Sequence, residues 1–316
     1  MRAVQLQQLV YFLAVAETRH FTRAAEAVHV AQPSLSKQIH NLEAELGGAL
    51  FSRVRGNIGL TPAGEALLPF ARRILADVED AKLRMHELAE LRSGRLRLGA
   101  TPSLCTGLVA DGLARFRRAH PGVELVVEES GSRQLVRHVA DGALDLAVIT
   151  SALLPADARL HATALLREQL TLAVPRGYDP DLRVVRVDDL ADRPLVMFRE
   201  GYDLRSTVLA ACERAGFAPR FAVEGGEMDA VLSFVEAGLG VAVVPSTVLP
   251  GRPRLRGVPF AAPVPTRTVS LARRADVQPP RAAEAFRAVL LAQLDEADRR
   301  GALPFGVEVV RPDAAG

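Results

Sequence analysis

The stretch from residue 21 to 40 carries side chains that could hydrogen-bond to DNA bases. Two short helices joined by a tight turn near residues 29–32 are predicted there. One face of the second helix is an apolar stripe of Leu35, Ile39, Leu42 and Leu46. The opposite face has neutral or cationic hydrogen-bonding groups: Gln32, Ser34, Lys37, Gln38 and Asn41. Gln and Asn can pair with adenine edges, Lys with guanine or phosphate, and Ser with either. The pattern favours a helix-turn-helix, and an ordinary helical hairpin with a polar solvent face is the alternative.

A second group of polar residues lies where predicted strands end. The strand at residues 96–100 is followed by Thr101, Pro102 and Ser103, which read as an N-cap, the first helical residue and a second hydroxyl. Free backbone N–H groups and two hydroxyls suit an anion, although plain helix capping by Thr101 uses the same groups. Ligands of open α/β sheets bind beyond the carboxyl ends of strands. The sequence therefore leaves an anion site and plain capping as equal alternatives there, and Ser130, Thr150, Phe198, Tyr202 and Arg205 are the further candidate residues of such a site.

The other reactive side chains form no catalytic or metal-binding pattern. The two cysteines, Cys105 and Cys212, are too few for a disulfide framework, and they fall in different predicted lobes without a resolving partner. The histidines are scattered, with no two at metal-ligand spacing beside acids. No nucleotide-binding or nucleophile-elbow motif occurs. The sequence therefore predicts neither an enzyme nor a resident cofactor or metal.

Composition indicates a globular protein of two or three domains. The 316 residues are 49% hydrophobic and 24% charged, and the formal net charge is only +2. Bulk charge therefore gives no argument for a nucleic-acid partner. The apolar run at residues 9–16 resembles a signal peptide, but its spacing and flanks fit an amphipathic helix better. No apolar stretch is long enough to span a membrane, so a soluble, cytoplasmic protein is predicted.

Residues 4–61 read as a small helical unit that ends in a hairpin. Helices are predicted at about 6–17, at 22–29 with Thr22 as the N-cap, and from Pro33 to the glycine pair at 47–48. A long helix follows at 62–92, with Thr61 as its N-cap. Its apolar positions form a heptad seam, which favours dimerisation over packing on its own domain. The seam consists of Leu67, Ala71, Ile74, Val78, Ala81, Met85 and Leu88.

Beyond residue 93 the pattern changes to strands that alternate with helices. Strands are predicted at 96–100, 123–129, 144–149, 170–174, 194–198 and 241–244. The alternation predicts α/β units with largely parallel sheets, and the length predicts two lobes. Residues 301–316 read as a loose tail.

Several motifs resemble the LysR-type transcriptional regulators at that family's spacing. They are FTRAAEAVHVAQPSLSKQIHNLEAELGGALFSR at 21–53, LTPAG at 60–64, GRLRLGA at 94–100 and VEAGLGVAVVP at 235–245. The resemblance implies a winged helix-turn-helix at 4–61, a dimerising linker helix at 62–92 and an effector-binding domain at 93–300. That domain is expected to resemble periplasmic solute-binding proteins, with lobe I at about 95–165 and 267–300 and lobe II at about 166–266. Family members are usually tetramers, built as dimers of dimers.

The resemblance also assigns site residues. It places DNA contacts at Gln32, Ser34, Ser36, Lys37, Gln38 and Arg53. The candidate DNA-binding residues also include Thr22, Pro33, Asn41 and Arg55. Arg53 is expected at a phosphate. The wing turn NIG at 57–59 is less basic than is often seen in the family.

The predicted function is that of a sequence-specific DNA-binding transcriptional regulator controlled by a small-molecule effector, most simply a small organic anion. Its expected partners are double-stranded DNA and copies of itself, and RNA polymerase is a candidate partner. The alternatives are a solute-binding protein, favoured only by residues 95–300, and an effector-independent DNA-binding repressor. The identity of the effector, the target genes and the direction of regulation do not follow from the sequence.

Overall fold

The protein is described from a computed structural model that covers residues 4–54, 57–87, 94–150 and 159–311. It divides into an N-terminal unit, which includes residues up to 88, and a C-terminal unit, which holds most of the remaining chain. Each unit has its own hydrophobic core. None of the described helices is both long enough and apolar enough to span a bilayer.

The N-terminal unit is a helical domain with a two-stranded wing. Its elements are α1 (Leu6–Thr18), α2 (Phe21–Ala27), α3 (Gln32–Leu46), β1 (Phe51–Val54), β2 (Asn57–Leu60) and α4 (Pro62–Glu87). Phe12, Leu35, Ile39 and Leu42 are buried in the core between these helices. The antiparallel pairing of β1 with β2 forms the wing predicted at 51–60. Leu46, predicted in the apolar stripe of α3, is instead 46% exposed, and it is the last residue of that helix.

Helix ends follow local chemistry in most places. Gly47 ends α3 in the left-handed conformation, with φ 76°, and the Thr61 hydroxyl accepts from the Gly64 N–H at the start of α4 at 3.1 Å. The prediction for α2 was wrong in its cap: the helix begins at Phe21, and the residue before it, His20, accepts from the backbone of Thr22 through its ring Nδ1 at 3.2 Å. Thr22 is therefore already inside the helix.

The described residues of the seam predicted along α4 fall into two groups, one packed in or against the core and one more exposed to solvent. Ala71 is fully buried in the core of the N-terminal unit and Leu67 packs against that core, so these two positions are occupied within the chain. Ile74 is 41% exposed and Phe70, which the heptad pattern left out, is 64% exposed. The Met85 side chain and Leu88 lie outside the described residues. The exposed apolar stripe of α4 is therefore centred on Phe70 and Ile74.

The C-terminal unit is an α/β structure of two lobes. In chain order its elements are β3 (Gly94–Ala100), α5 (Pro102–Leu104), a π-helical turn (Cys105–Val109), α6 (Ala110–Ala119), β4 (Val123–Glu129), α7 (Ser132–Ala140), β5 (Leu146–Thr150), β6 (Leu160–Pro175), β7 (Leu195–Met197), α8 (Asp203–Arg214), β8 (Phe221–Glu224), α9 (Met228–Glu236), β9 (Ala242–Pro245), β10 (Leu255–Pro259), β11 (Thr266–Arg274), α10 (Arg281–Arg299) and β12 (Val307–Val309). Short 3-10 turns lie at Asp188–Leu190 and Ser246–Val248.

One long strand, β6, belongs to both lobes. Its first part pairs with β11 from Leu160 to Gln169, and its second part pairs with β9 and β10 from Leu170 to Pro175. The chain thus crosses between lobes near Gln169 and returns near Pro265. The pairing with β11 continues beyond the predicted lobe boundary at residue 165.

The expectation of largely parallel sheets was wrong. Parallel pairing joins β3 to β4 and to β5, and β7 to β8, but all pairs made by β6 and β11 are antiparallel. The two strands that cross between the lobes, β6 and β11, run antiparallel to each other, and a pattern of neighbouring residues does not show how distant strands pair.

The prediction of a loose tail was also wrong in part, because β12 pairs with β6 and buries Val307. Residues 312–316 lie outside the described range.

Candidate functional site

The solvent face of α3 presents the polar residues predicted for DNA reading. Gln32, Pro33, Ser34 and Lys37 are exposed, whereas Leu35 and Ile39 on the other face are buried. Ser36, Gln38 and Asn41 are half-buried, and Thr22 is exposed on α2. This arrangement gives one continuous hydrogen-bonding surface on a helix that the core holds in place. The Arg53 side chain and Arg55 lie outside the described residues.

Glu43, the first acid of α3, fastens that helix to the wing. Its Oε1 accepts from the backbone N–H of Leu50 at 2.8 Å and from that of Phe51 at 3.4 Å. These bonds satisfy donors at the start of β1, and they direct the carboxylate toward the wing strand.

In the C-terminal unit, a small cavity lies where both lobes meet the crossover strands. It is bounded by the start of α5, the residue before α7, the start of α8 and β11. Its volume is about 10 Å³, roughly the space of one water molecule. The lining residues are Thr101, Pro102, Ser103, Gly131, Tyr202, Asp203, Leu204 and Arg267. We call this the inter-lobe cavity.

Three buried polar atoms of the cavity lining have no hydrogen-bond partner among the described residues. They are Thr101 Oγ1, Tyr202 OH and Arg267 Nη2. The three residues are 5%, 4% and 6% exposed. A buried donor without a partner costs about 1–3 kcal/mol, so a polar occupant of the cavity, whether water or ligand, would be stabilised by these three groups. Burial, the largest effect, raises the pKa of Tyr202 well above its usual value, so its phenol is a neutral donor at neutral pH.

The guanidinium of Arg267 is held in place by neighbouring strands and helices. Its Nε donates to Glu168 Oε2 at 2.5 Å and its Nη1 donates to Ser103 Oγ at 3.0 Å. Thr247 in turn donates to the other oxygen of Glu168 at 2.6 Å. Two of the three guanidinium nitrogens, Nε and Nη1, are therefore hydrogen-bonded within the protein. The third, Nη2, is the one that remains for the cavity.

Asp203, the first residue of α8, joins the lobes on another side of the cavity. Its Oδ2 accepts from the backbone N–H of Ser132 at 3.3 Å, from the Ser132 hydroxyl, and from Thr150 Oγ1 at 2.9 Å. Ser132 and Thr150 belong to lobe I, at the start of α7 and the end of β5. The carboxylate of lobe II thus closes onto hydroxyls of lobe I.

The predicted effector residues fall into three groups. Thr101, Ser103 and Tyr202 line the cavity, and Thr150 contacts Asp203 beside it. Phe198 lies behind the cavity, where its ring stacks on Tyr202 at a centroid distance of 4.7 Å. Ser130 and Arg205 do not line it: Ser130 follows β4, and Arg205 donates to the Phe198 carbonyl at 2.9 Å and to Glu224 at 2.8 Å. Thr101 precedes α5 as predicted, but its side chain makes no capping hydrogen bond.

Sequence reasoning missed Ser132, Asp203 and Arg267. Ser132 could have been found by the rule that selected Thr101, because it also starts a helix after a strand. Asp203 follows Tyr202 directly, but an acid in the first turn of a helix is common. Arg267 carries no local signal in a chain with 37 arginines.

Comparisons with known families cover both units. Residues 6–65 match the family described as bacterial regulatory helix-turn-helix protein, lysR family, and residues 89–295 match the LysR substrate binding domain. A protein of Dickeya chrysanthemi named hydrogen peroxide-inducible genes activator is 31% identical over 275 residues, which covers 86% of this chain and 90% of that protein.

Solved structures agree over nearly the whole chain. A full-length OxyR variant from Pseudomonas aeruginosa has a TM-score of 0.71 and 29% identity, with 92% of this chain and 95% of that chain covered. Full-length CbnR in complex with its target DNA has a TM-score of 0.65 and 26% identity, with 94% and 99% covered.

A helix-turn-helix unit with a wing, joined to a two-lobed ligand-binding fold, defines a DNA-binding transcriptional regulator with an effector-binding domain. The chain belongs to the LysR family of these regulators. This confirms the family and the fold class that the motifs of the sequence indicated.

Proposed function

We propose that the effector of this regulator is a small organic anion that binds in the inter-lobe cavity. The observation that carries the proposal is the set of three unpartnered buried donors, Thr101 Oγ1, Tyr202 OH and Arg267 Nη2, on one cavity. Ser103 supports the site because its Oγ accepts a hydrogen bond from Arg267 Nη1. Hydrogen-bond donors and a guanidinium together are the usual receptor for a carboxylate.

The mechanism is a shift between conformations of the two lobes. The cavity has room for about one water molecule, so a larger effector must separate the lobes at the bonds from Ser132 and Thr150 to Asp203. A ligand that binds one arrangement of the lobes more tightly shifts their equilibrium toward it. That change alters the geometry of the assembled regulator and so the spacing and bending of its DNA. The assembly proposed is a tetramer, a dimer of dimers, in the cytoplasm.

DNA is proposed to be read by α3. Gln32, Ser34, Ser36, Gln38 and Asn41 supply base-directed hydrogen bonds, and Lys37 supplies a guanine or phosphate contact. Thr22, Pro33 and the wing arginines Arg53 and Arg55 complete the proposed interface. Dimerisation is proposed through the exposed stripe of α4 around Phe70 and Ile74, with Val78 and Ala81 continuing it.

Peroxide sensing, the function in the name of the Dickeya chrysanthemi relative, is not proposed for this chain. A peroxide-sensing thiol needs a low pKa and access to solvent. Burial, followed by the nearby Glu129 carboxylate, raises the pKa of Cys105 to about 11. Cys212 is fully buried in the core of lobe II.

The proposed effector site can be tested on the full chain by calorimetry with a panel of small carboxylates, including amino acids. At least one should bind, and the Thr101→Val, Ser103→Ala double variant should bind it about 10-fold or more weakly, because each removed hydroxyl serves a charged hydrogen-bond network. Ser206→Ala, which removes an exposed hydroxyl from α8, is the matched control and should bind normally. Equal affinity in the double variant, or binding only of compounds that have no carboxylate, would overturn the proposal.

A further inference from the structure

The inter-lobe cavity is lined by groups of opposite character. Thr101 Oγ1 and Arg267 Nη2 are unpartnered donors, which suit an anionic group. Asp203, which carries a carboxylate, lines the same cavity. All three donors that reach Asp203 from Ser132 and Thr150 meet its Oδ2. Its Oδ1 receives none of these bonds.

The charges around the cavity do not favour a simple anion. The positive charge of Arg267 is already balanced by Glu168, whose carboxylate is 2.5 Å away and 2% exposed. Asp203 adds a negative charge to the lining that no cationic side chain in the described part of the chain contacts. A second anion placed here would meet Asp203 without a compensating cation.

The charged side chains that act on Tyr202 also include more anions than cations. Among the described residues that act on its phenol, Arg267 is the one cation, and Glu227, Asp203 and Glu129 are anions. Glu227 is paired with Arg199 at 2.7 Å, so its charge is partly balanced. Asp203 leaves the lining of the cavity with a negative charge, which favours a positive group on the ligand.

We infer that the effector is a zwitterion, an α-amino acid, whose carboxylate binds Thr101 and Arg267 and whose ammonium group binds Asp203. This rests on the proposed function, because it uses the same cavity, and it narrows the class of ligand. An ammonium group supplies the cation that the lining lacks and a donor for Asp203 Oδ1. The carboxylate supplies acceptors for the buried donors. Asp203 is then the residue that selects amino acids over plain carboxylic acids.

The test compares ligands that share a carbon skeleton. The full chain is titrated calorimetrically with the standard L-amino acids, and each amino acid that binds is compared with its counterpart without the amine, such as glutarate for glutamate or isovalerate for valine. The amine without the carboxylate, such as isobutylamine for valine, is the third compound. We expect one or a few amino acids to bind, and both truncated partners to bind about 10- to 100-fold more weakly.

Asp203→Asn tests the selecting residue, because it removes the charge and keeps a side chain of similar size. We expect it to weaken amino-acid binding and to narrow or reverse the preference over the matched carboxylic acid. Glu224→Gln, an acid outside the cavity, should change neither affinity nor preference.

The outcomes separate the two proposals. If a carboxylate without an amine binds as tightly as its amino acid, the zwitterion is wrong while the anion site stands. If Asp203→Asn retains the full preference, Asp203 is not the selecting residue and the inference fails. If no amino acid and no carboxylate binds, both proposals fail.

Discussion

Arg267 and Glu168 face each other across the antiparallel pairing of β11 with β6, next to the place where the chain crosses between lobes. Their side chains are 4% and 2% exposed, and Nε and Oε2 are 2.5 Å apart. Removing one partner of a buried ion pair leaves the other charge unpaired in a poorly solvated site. The pair therefore stabilises the junction as well as placing Nη2 at the cavity.

Glu168→Gln should lower the free energy of unfolding of the C-terminal unit by about 3–5 kcal/mol. The measurement is chemical denaturation followed by circular dichroism. Glu284→Gln is the matched control, because Glu284 pairs with Arg287 at 2.9 Å but both side chains are 40% exposed. An exposed pair contributes about 0–1 kcal/mol, so the control should be nearly neutral. Equal losses in the two variants would contradict the role assigned to burial.

Gln32→Ala and Ser34→Ala should relax sequence preference without abolishing binding. Each removes a base-directed hydrogen bond, and loss of a specific contact costs about 1–3 kcal/mol against the preferred base. Binding to an operator and to its single-base variants, measured by fluorescence anisotropy, checks the prediction. If each base substitution in the operator weakens the binding of both variants as much as it weakens the binding of the wild type, α3 does not read bases through Gln32 and Ser34.

Lys37→Ala should weaken binding to all sequences if its contact is to a phosphate, and it should reduce the slope of log affinity against log salt by about 1. Lys82→Ala is the natural comparison, since Lys82 is the other lysine of the chain and is exposed on α4. It should leave the salt slope unchanged. If both variants change the affinity and the salt slope equally, the effect reflects the net charge of the protein and not a contact made by Lys37.

Phe70→Asp and Ile74→Asp should dissociate the dimer, because each places a charge in the exposed apolar stripe of α4 that the partner is proposed to cover. Light scattering or analytical ultracentrifugation gives the mass, and operator binding should fall with it. Glu79→Lys also alters a charge on α4, at an exposed position on the opposite face, and should leave the dimer intact. An unchanged oligomer in both Asp variants would place the interface elsewhere.

The thiol of Cys105 should react slowly at neutral pH. With a pKa of about 11, it is roughly 0.1% thiolate at pH 8, and only the thiolate reacts. In a Cys212→Ala background, alkylation by iodoacetamide should accelerate as pH rises toward 11, with the fold checked by circular dichroism at each pH. Glu129→Gln should shift the profile to lower pH, because the Glu129 carboxylate helps to raise the pKa. A rate that levels off near pH 8 would show a reactive thiol and reopen redox sensing.

The sequence by itself determined the helical framework of the DNA-binding unit. The apolar spacing of Leu35, Ile39 and Leu42, the glycine at position 47 and the Thr61 cap are local signals, because a helix is built from contacts three and four residues apart. The same locality explains why Thr101, Ser103 and Tyr202, which line the cavity, could be selected from the sequence: they lie at recognisable joints between strand and helix. The cap of α2 failed because two residues near its start, His20 and Thr22, can each accept backbone hydrogen bonds.

Tertiary structure decided what depends on partners distant in the chain. The antiparallel pairing of β6 with β11 brings Glu168 and Arg267 together although 99 positions separate them. The residues next to Arg267 in the chain do not distinguish it from the exposed arginines. Only its burial beside the Glu168 carboxylate does so. Likewise, Asp203 resembles any acid at a helix start until the fold sets it against Ser132 and Thr150 of the other lobe. The inter-lobe cavity is therefore a property of packing between lobes, because its charged groups and unpartnered donors come together only where distant segments exclude water.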